Sequence, residues 1–240
     1  MVSAIILAGG TGIRMRTSGM PKQFISLYGK PIICYTLEVF EACDEVDQIV
    51  IPCNKKWIDH MKKLVEKYNI HKATKIIEGG TDRQSSIING LDAIGDVRED
   101  DIVLIHDGVR PLVKQETIIE NIRTAKEHGN AMTVKQNIET VVVTDKDCVD
   151  FADFKNRENT YTLTSPQTFR AKELKDVYEK LGELQSSMPI LDAALLFARL
   201  GKKMYLVKES GLNLKVTTPE DYYYLRSYLE LNENKEILGI

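Results

Sequence analysis

Apolar and polar positions follow two alternating patterns along the chain. Short apolar runs rich in β-branched residues are typical of buried strands, and each is followed by a stretch with apolar residues at helical spacing. The apolar runs predict strands at Ala4–Ala8, Gln48–Ile51, Lys75–Ile77, Asp101–Ile105, Ala131–Val134 and Met204–Val207. The helical spacing predicts helices at Pro31–Cys43, Lys55–Tyr68, Arg83–Ile94, Gln115–His128, Ala171–Leu181 and Ile190–Leu200, with a last helix after Thr218. This order predicts an α/β fold with a doubly wound, mostly parallel sheet.

The alternation breaks between about Asn137 and Leu163. Val141–Val143 and Thr160–Leu163 are rich in β-formers, but the segment between them is charged and cannot supply a buried parallel strand. We therefore expect one domain over residues 1–240, with a protruding antiparallel β arm at about residues 137–163.

Composition narrows the class of protein. The chain has 240 residues, of which 43% are apolar, enough for one core. Its 32 basic and 35 acidic residues give a net charge of −3, which argues against a broad nucleic-acid or membrane surface. No apolar run is long enough to span a bilayer, and the first residues lack the basic region of a signal peptide. Four scattered cysteines predict reduced thiols in a cytoplasmic protein.

A glycine-rich loop follows the first predicted strand, in the run Ala8–Met15, and Pro21-Lys22-Gln23 comes shortly after it. In a parallel sheet this loop lies at the carboxyl edge, where ligands bind. Glycines at positions 9, 10 and 12 let backbone N–H groups approach phosphate oxygens. Arg14 and Lys22 add positive charge suited to a triphosphate whose leaving group gains charge. The alternative is a plain glycine turn with two solvated basic side chains.

Two familiar nucleotide-binding motifs do not fit this loop. The Rossmann fingerprint G-x-G-x-x-G lacks its third glycine here. The Walker A pattern also fails, because Lys22 is preceded by proline.

Two further segments follow predicted strands. Gly79–Ser86 offers donors at a helix start that suit a base or ribose, although a capped turn explains it equally well. The segment His106–Pro111 follows the most apolar strand, where Asp107 suits Mg²⁺ beside phosphates and Arg110 suits a second, anionic substrate. The alternative is an Asp–Arg ion pair that closes a turn. We expect His106 to be a hydrogen-bonded packing residue rather than a base.

Lys215 stands alone on a short extended segment before the last helix. Alternation places it on one face with Asn213 and Thr217. Pointing inward it requires an anion, because an unpaired buried charge is prohibitive. The alternative is a solvated lysine at a strand edge.

Taken together, these motifs resemble the cytidylyltransferases that act on polyol phosphates, over nearly the whole chain. The resemblance rests on Gly9-Gly10-Thr11-Gly12-x-Arg14-Met15, Pro21-Lys22-Gln23, Gly79-Gly80-x-x-Arg83, His106-Asp107-x-x-Arg110-Pro111, Ser165-Pro166-Gln167-x-Phe169 and Leu214-Lys215-Val216-Thr217. It implies a Rossmann-like nucleotidyltransferase fold and the reaction of CTP with a polyol phosphate, with Mg²⁺, to give a CDP-polyol and pyrophosphate.

The resemblance also implies roles for individual residues. Arg14 and Lys22 would stabilise the triphosphate and the departing pyrophosphate, and Lys215 would neutralise the α-phosphate and the incoming phosphate. Asp107 would hold Mg²⁺. The implied CTP-binding residues are Leu7, Ala8, Gly9, Gly10, Thr11, Gly12, Gly80, Thr81, Arg83, Ser86, Asp107 and Gly108. The implied residues for the second substrate are Arg110, Thr140, Arg157 and Ser165. In the family the arm bearing Arg157 crosses to a second subunit, so a homodimer is expected.

Two branches of the family are similar to this chain. One uses ribitol 5-phosphate for wall or capsule polymers, and the other uses 2-C-methyl-D-erythritol 4-phosphate in isoprenoid synthesis. Five residues between Met15 and Pro21 resemble the ribitol branch. Leu191 stands where both branches usually carry threonine, and Ser165 replaces a threonine but keeps the hydroxyl. Another alditol phosphate or a phosphonate acceptor therefore stays open.

Two alternatives lie outside these branches. A hexose-1-phosphate uridylyl- or thymidylyltransferase would carry a longer insertion between the glycine loop and Pro21. A non-catalytic nucleotide-binding protein would have no chemical need for Arg14, Lys22, Asp107 and Lys215 together.

Overall fold

The computed structural model describes residues 1–10, 15, 19–180 and 192–238. In these ranges the strands are β1 (Val2–Leu7), β2 (Ser26–Leu27), β3 (Lys30–Pro31), β4 (Gln48–Cys53), β5 (Lys75–Glu78), β6 (Ile102–Asp107), β7 (Asn130–Gln136), β8 (Val141–Val142), β9 (Phe154–Lys155), β10 (Tyr161–Arg170) and β11 (Leu206–Lys208). The α-helices are α1 (Ile32–Glu41), α2 (Ile58–Lys67), α3 (Arg83–Ile94), α4 (Gln115–His128), α5 (Ala171–Glu179), α6 (Ala193–Arg199) and α7 (Pro219–Leu238).

Within the described ranges, seven strands form the central sheet in the order β11-β7-β10-β6-β1-β4-β5. Strand β1 pairs in parallel with β4 and β6, and β4 pairs in parallel with β5. On the other side, β10 is antiparallel to both β6 and β7, while β11 is parallel to β7. The predicted α/β fold with a mostly parallel, doubly wound sheet is thus confirmed.

Helices cover both faces of the sheet, which is why β1 and β6 are apolar at nearly every position. Ile6 packs with residues of α1, α2 and α4 on one face. Its neighbour Ile5 packs with residues of α3, α5 and α6 on the other face. Successive side chains of a strand point to opposite faces of the sheet, so the apolar core forms two layers, one on each face.

Strand β10 is longer and more central than the sequence predicts. We expected the β-rich stretch to end at Leu163 within the arm, but the strand runs to Arg170 between β7 and β6. The residues after Leu163 are largely polar, so the sequence does not predict that they continue a buried strand. In the structure their hydroxyl groups are buried and hydrogen-bonded to other elements. Thr164 Oγ1 lies 3.3 Å from the carbonyl oxygen of Thr133, and Thr168 Oγ1 lies 3.4 Å from Asn121 Oδ1.

An antiparallel hairpin occupies the middle of the predicted arm. Strand β8 pairs with β9 outside the central sheet, and Phe151 between them is 94% exposed. The end of the predicted arm belongs to the main sheet instead, since Tyr161–Leu163 pair with Val134–Gln136 of β7.

Helix α7 packs at the carboxyl edge of the sheet and supports the segment just before it. Leu225 of α7 belongs to a third apolar cluster, together with Val216 and Val109. Asp221 Oδ2 accepts hydrogen bonds from the backbone N–H groups of Thr217 and Thr218, each 2.8 Å long. The acidic first turn predicted from the sequence thus holds the Asn213–Thr217 segment against the helix.

Candidate active site

A cleft of about 340 Å³ opens at the carboxyl edge of β1 and β6. Loops from several parallel strands meet there because the carboxyl ends of such strands share one edge. The lining residues are Leu7, Gly9, Gly10, Lys22, Gln23, Gly80, Thr81, Asp82, Arg83, Ser86, Asp107, Val109 and Lys215.

Asp107, the last residue of β6, lies at the centre of a charged cluster. Its carboxylate contacts Arg83 Nη1 at 2.5 Å, Lys215 Nζ at 3.0 Å and Arg110 Nε at 3.1 Å. We call these three basic side chains and Asp107 the cation cluster. Burial by itself would raise the pKa of Asp107, but Arg83, Lys215 and Arg110 together hold that pKa well below its usual range. Three cations face one carboxylate, so the cluster carries excess positive charge, as a polyphosphate site requires.

A buried hydrogen-bond ring fixes the backbone of Asp107. Burial lowers the pKa of His106 to about 3, so the imidazole is neutral. His106 Nε2 donates to the carbonyl oxygen of Arg110 (3.2 Å), and its Nδ1 therefore accepts from the Ser165 hydroxyl (3.1 Å). Ser165 Oγ in turn accepts from the Asp107 N–H at 3.3 Å. His106 thus has the packing and hydrogen-bonding role that we expected from the sequence.

Asn213 joins this ring to the segment that carries Lys215. Its backbone oxygen accepts from Arg110 Nη1 and its amide Nδ2 donates to the carbonyl of Ser165, each at 2.7 Å. Asn213 Oδ1 is buried and has no hydrogen-bond partner within the described part of the chain. Lys215, two residues after Asn213, contacts Asp107. The hydrogen bonds of Asn213 therefore fix the backbone that positions Lys215 in the cation cluster.

The turn before α3 forms the opposite wall of the cleft. Asp82 caps the helix by accepting from the Ser85 N–H at 2.8 Å, and Ser86 Oγ accepts from the Gly80 N–H at 3.0 Å. A Cβ atom at Gly80 would lie 2.1 Å from Ser85 Oγ, so only glycine fits there. Gly79–Ser86 is therefore both a capped turn and a wall of the cleft. Arg83, in the first turn of α3, contacts the Asp107 carboxylate.

The glycine loop is held from behind by a buried glutamine. Gln23 Nε2 donates to the carbonyl oxygens of Ala8 (2.7 Å) and Gly10 (3.1 Å). Among the residues that the structure describes, no atom lies within 4 Å of a Cβ added at Gly10, a residue that lines the cleft. The sequence predicts no individual role for Gln23, because nothing in the pattern around a glutamine beside a lysine indicates that it is buried.

The sequence model of the family "IspD: 2-C-methyl-D-erythritol 4-phosphate cytidylyltransferase" matches residues 2–231. The chain belongs to this cytidylyltransferase family. It is 36% identical to the ribitol-5-phosphate cytidylyltransferase of Streptococcus agalactiae serotype III, over 98% of this chain and 98% of that protein. It is 38% identical to the Vibrio parahaemolyticus protein of the same name, over 98% and 99%. A solved 4-diphosphocytidyl-2C-methyl-D-erythritol synthase from Anaerococcus prevotii superposes with a TM-score of 0.83 at 29% identity and covers 96% of each chain.

This cytidylyltransferase brings most of its predicted nucleotide residues to one cleft. Those that line it are Leu7, Gly9, Gly10, Lys22, Gly80, Thr81, Arg83, Ser86, Asp107 and Lys215. The other residues named from the sequence lie outside the described residues: Thr11, Gly12, Arg14 and Leu191.

The remaining predicted residues lie behind the cleft or on the arm. Ala8 and Gly108 are buried, and a Cβ atom at Gly108 would lie 2.9 Å from the Leu7 carbonyl oxygen, so this glycine allows close packing of β6 on β1. Arg110 and Ser165 belong to the ring and cluster around Asp107. Thr140 and Arg157 are exposed on the arm and are not among the lining residues.

In the described part of this cytidylyltransferase, no helix is long and apolar enough to cross a bilayer.

Proposed function

We propose that this cytidylyltransferase transfers the cytidylyl group of CTP to ribitol 5-phosphate and releases pyrophosphate. The observation that carries the proposal is the convergence of Lys22, Arg83 and Lys215 with Asp107 in one cleft at the carboxyl edge. Relatives named for ribitol 5-phosphate, 36% and 38% identical over nearly the full length, support the choice of acceptor.

The reaction proceeds by in-line displacement at the α-phosphorus. An oxygen of the acceptor phosphate forms the new bond to that phosphorus, while the bond to the bridging oxygen breaks and pyrophosphate leaves with the electron pair. Such a step needs positioning and charge stabilisation more than a protein nucleophile. Lys22 and Arg14 stabilise the triphosphate and the departing pyrophosphate. Lys215 neutralises the α-phosphate and the incoming phosphate, which otherwise repel each other.

The two walls of the cleft bind CTP. The glycine loop (Ala8–Gly12) offers backbone N–H groups to the phosphates, and the wall at Gly80, Thr81 and Ser86 offers polar groups to the nucleoside. Arg83 is paired with Asp107 in the structure and is close enough to the cleft to contact a bound nucleotide.

Two oxygen donors of the site fit Mg²⁺. They are the ionised Asp107 carboxylate and Asn213 Oδ1, which is buried without a partner in the described chain. Mg²⁺ is commonly bound by one or two such groups together with substrate phosphates and waters. When bound, the ion would offset charge on the phosphates. Asp107 and Asn213 would hold it, and the ring through Ser165 keeps Asp107 in place.

The acceptor binds on the side of Arg110 and Ser165, where the guanidinium recognises its phosphate and Ser165 shapes the site from behind. We propose that Thr140 and Arg157 complete this half in a homodimer, from the arm of the second subunit. Exposed apolar side chains on the arm support an interface there: Ile138 is 76%, Val143 61% and Phe151 94% exposed.

We further propose that the enzyme works in the cytoplasm, with CTP and a small polyol phosphate as its partners and no nucleic acid or membrane. Cys34, Cys43 and Cys53 are buried free thiols, as expected in a reducing compartment.

A substrate panel tests the reaction. Pyrophosphate release is measured with CTP, UTP or dTTP against ribitol 5-phosphate, 2-C-methyl-D-erythritol 4-phosphate, other alditol phosphates and a phosphono-alcohol. We expect turnover with CTP and the highest kcat/KM with ribitol 5-phosphate. Absence of turnover with CTP and every acceptor would reject the proposed function.

The second candidate acceptor is 2-C-methyl-D-erythritol 4-phosphate. The family model and the Anaerococcus structure, both named for that chemistry, favour it. A higher kcat/KM for this acceptor in the same panel would select it over ribitol 5-phosphate.

A further inference from the structure

Gln23 is a buried polar side chain at the floor of the cleft, and its role is not explained by the reaction above. It is 1% exposed, and its amide nitrogen donates to two carbonyl oxygens of the glycine loop, those of Ala8 and Gly10. A glutamine amide has two N–H donors, so both are used on this loop.

These two bonds decide which way the loop carbonyls face. In a trans peptide the C=O and the following N–H point in opposite directions. Because the Ala8 carbonyl points at Gln23, the Gly9 N–H points away from Gln23. An anion site needs its N–H groups turned to the ligand and its carbonyls turned away, since a carbonyl oxygen facing a phosphate repels it.

The other backbone group of Ala8 is also fixed. Its N–H donates to the carbonyl of Pro52 at the end of β4, at 2.9 Å. Residue 8 is therefore bonded on both sides, to the sheet through nitrogen and to Gln23 through oxygen. Without the glutamine, Ala8 would keep only its β-bridge to Cys53, and the carbonyls of Ala8 and Gly10 would lose the side-chain donor that they share.

Gln23 is itself firmly anchored in a short 3-10 helix, Lys22–Phe24. Phe24 is 3% exposed and stacks on Trp57 with 4.9 Å between ring centroids. The same short helix carries Lys22, so the loop and the lysine share one support.

We propose that Gln23 is a positioning residue that turns the Ala8 and Gly10 carbonyls away from the triphosphate and so prepares the glycine loop to bind it. This inference rests on the proposed function only in that the anion is the triphosphate of CTP. Gln23 itself acts through the loop and takes no part in the chemistry.

The test compares two buried amides that differ in location. Gln23→Met keeps the volume and removes both donors without adding charge, and Gln23→Glu keeps the shape with acceptors only. The control is Asn121→Leu, because Asn121 is also fully buried and its Nδ2 donates to Thr117 and Thr133, away from the cleft. Binding of inorganic tripolyphosphate and of CTP is measured by calorimetry on the full chain, with the melting temperature recorded for each variant.

We expect Gln23→Met to weaken tripolyphosphate and CTP binding by about tenfold, the scale of one lost hydrogen bond to a charged group, and Gln23→Glu to weaken both further. Asn121→Leu should lower the melting temperature yet leave tripolyphosphate affinity within about twofold of the parent, since its lost bonds face the core. In steady-state kinetics the KM for CTP should rise in Gln23→Met while the KM for the acceptor stays unchanged, a difference that general loss of stability would not produce.

Unchanged tripolyphosphate affinity in a folded Gln23→Met protein would overturn the inference. So would a parent protein that binds no tripolyphosphate, or unfolding of both Gln23 variants while Asn121→Leu folds, because Gln23 would then be a core residue only. If the parent shows no turnover with CTP but Gln23→Met still weakens tripolyphosphate binding, the proposed function fails and the inference stands.

Discussion

At the scale of single residues, the site depends on basic side chains that are already positioned before a substrate binds. Asp107 keeps Arg83, Arg110 and Lys215 within 3.1 Å of its carboxylate. This pre-organisation lowers the cost of orienting cations during the reaction, which is how electrostatic catalysis gains its effect.

Lysine truncation tests the charge contacts. Lys22→Ala and Lys215→Ala should each lower kcat by about 10²-fold or more, the scale for one transition-state charge contact. Lys62→Ala, on the exposed face of α2, is the matched control and should retain the parental kcat. A near-normal kcat at saturating substrates in either cleft variant would contradict the assigned role. Steady-state pyrophosphate release provides the measurement.

Two glycines of the cleft should respond differently to an added methyl group. In Gly80→Ala the added Cβ would lie 2.1–2.6 Å from atoms of Ser85 and would distort the turn, so both stability and CTP affinity should fall. At Gly10 no described atom lies within 4 Å of an added Cβ, so in Gly10→Ala the melting temperature should stay unchanged while the methyl occupies ligand space and weakens CTP binding. Thermal unfolding and CTP titration separate the two. Equal loss of stability in both variants would refute this distinction.

The depressed pKa of Asp107 predicts how its contribution to stability depends on pH. A lowered folded-state pKa means that the contribution is complete above the ordinary value of 3.8 and is lost as pH falls through the folded-state value. The free energy of unfolding of the parent minus that of Asp107→Asn should therefore be constant from about pH 8 to about pH 5 and should shrink only at strongly acidic pH. Urea unfolding across pH measures it, and a difference that grows on acidification would contradict the prediction.

At the scale of elements, the cleft depends on how helix α7 holds the segment before it. Asp221 accepts from two backbone N–H groups there, and the Val216 N–H donates to the Val109 carbonyl at 2.9 Å. One extended segment thus connects the last helix, strand β10 and the end of β6, and Lys215 lies on it.

Removal of the Asp221 carboxylate should affect stability and catalysis together. Asp221→Ala should cost about 1 kcal/mol of unfolding free energy, the scale of lost hydrogen bonds to backbone N–H groups, and should lower kcat because the backbone under Lys215 loosens. Asp221→Asn keeps an acceptor oxygen and should lose less of both. Urea unfolding and kinetics on the same samples provide the test. Loss of stability with an unaltered kcat would show that the segment positions Lys215 without the Asp221 carboxylate.

At the scale of the whole molecule, the two most exposed large apolar side chains in the described part of the chain, Phe151 and Ile138, both lie on the arm. Its hairpin lies outside the central sheet and carries several apolar side chains in the open. Such an exposed apolar surface suits an interface. A second subunit there would bring Thr140 and Arg157 to a cleft that they do not line within their own chain.

Disruption of that interface should lower turnover without unfolding the protein. Phe151→Glu should convert a dimer to monomers in sedimentation velocity and reduce turnover, because half of the acceptor site is removed with the partner. Ile119→Glu, an exposed apolar position on α4, is the control and should stay dimeric and active. A Phe151→Glu protein that remains dimeric would rule out the arm as the interface.

The sequence by itself determined the α/β class, most strand and helix positions, and the carboxyl-edge residues Lys22, Asp107 and Lys215. Hydrophobic periodicity and glycine placement are local signals, and parallel topology then brings the loops together. The tertiary structure alone decided that β10 runs through the sheet, that Gln23 lies beneath the glycine loop and that Ser165 bonds to His106. Each involves a buried polar side chain whose partners are distant in sequence. Burial of such a group is tolerable only once those partners are in place, so no local pattern can reveal it.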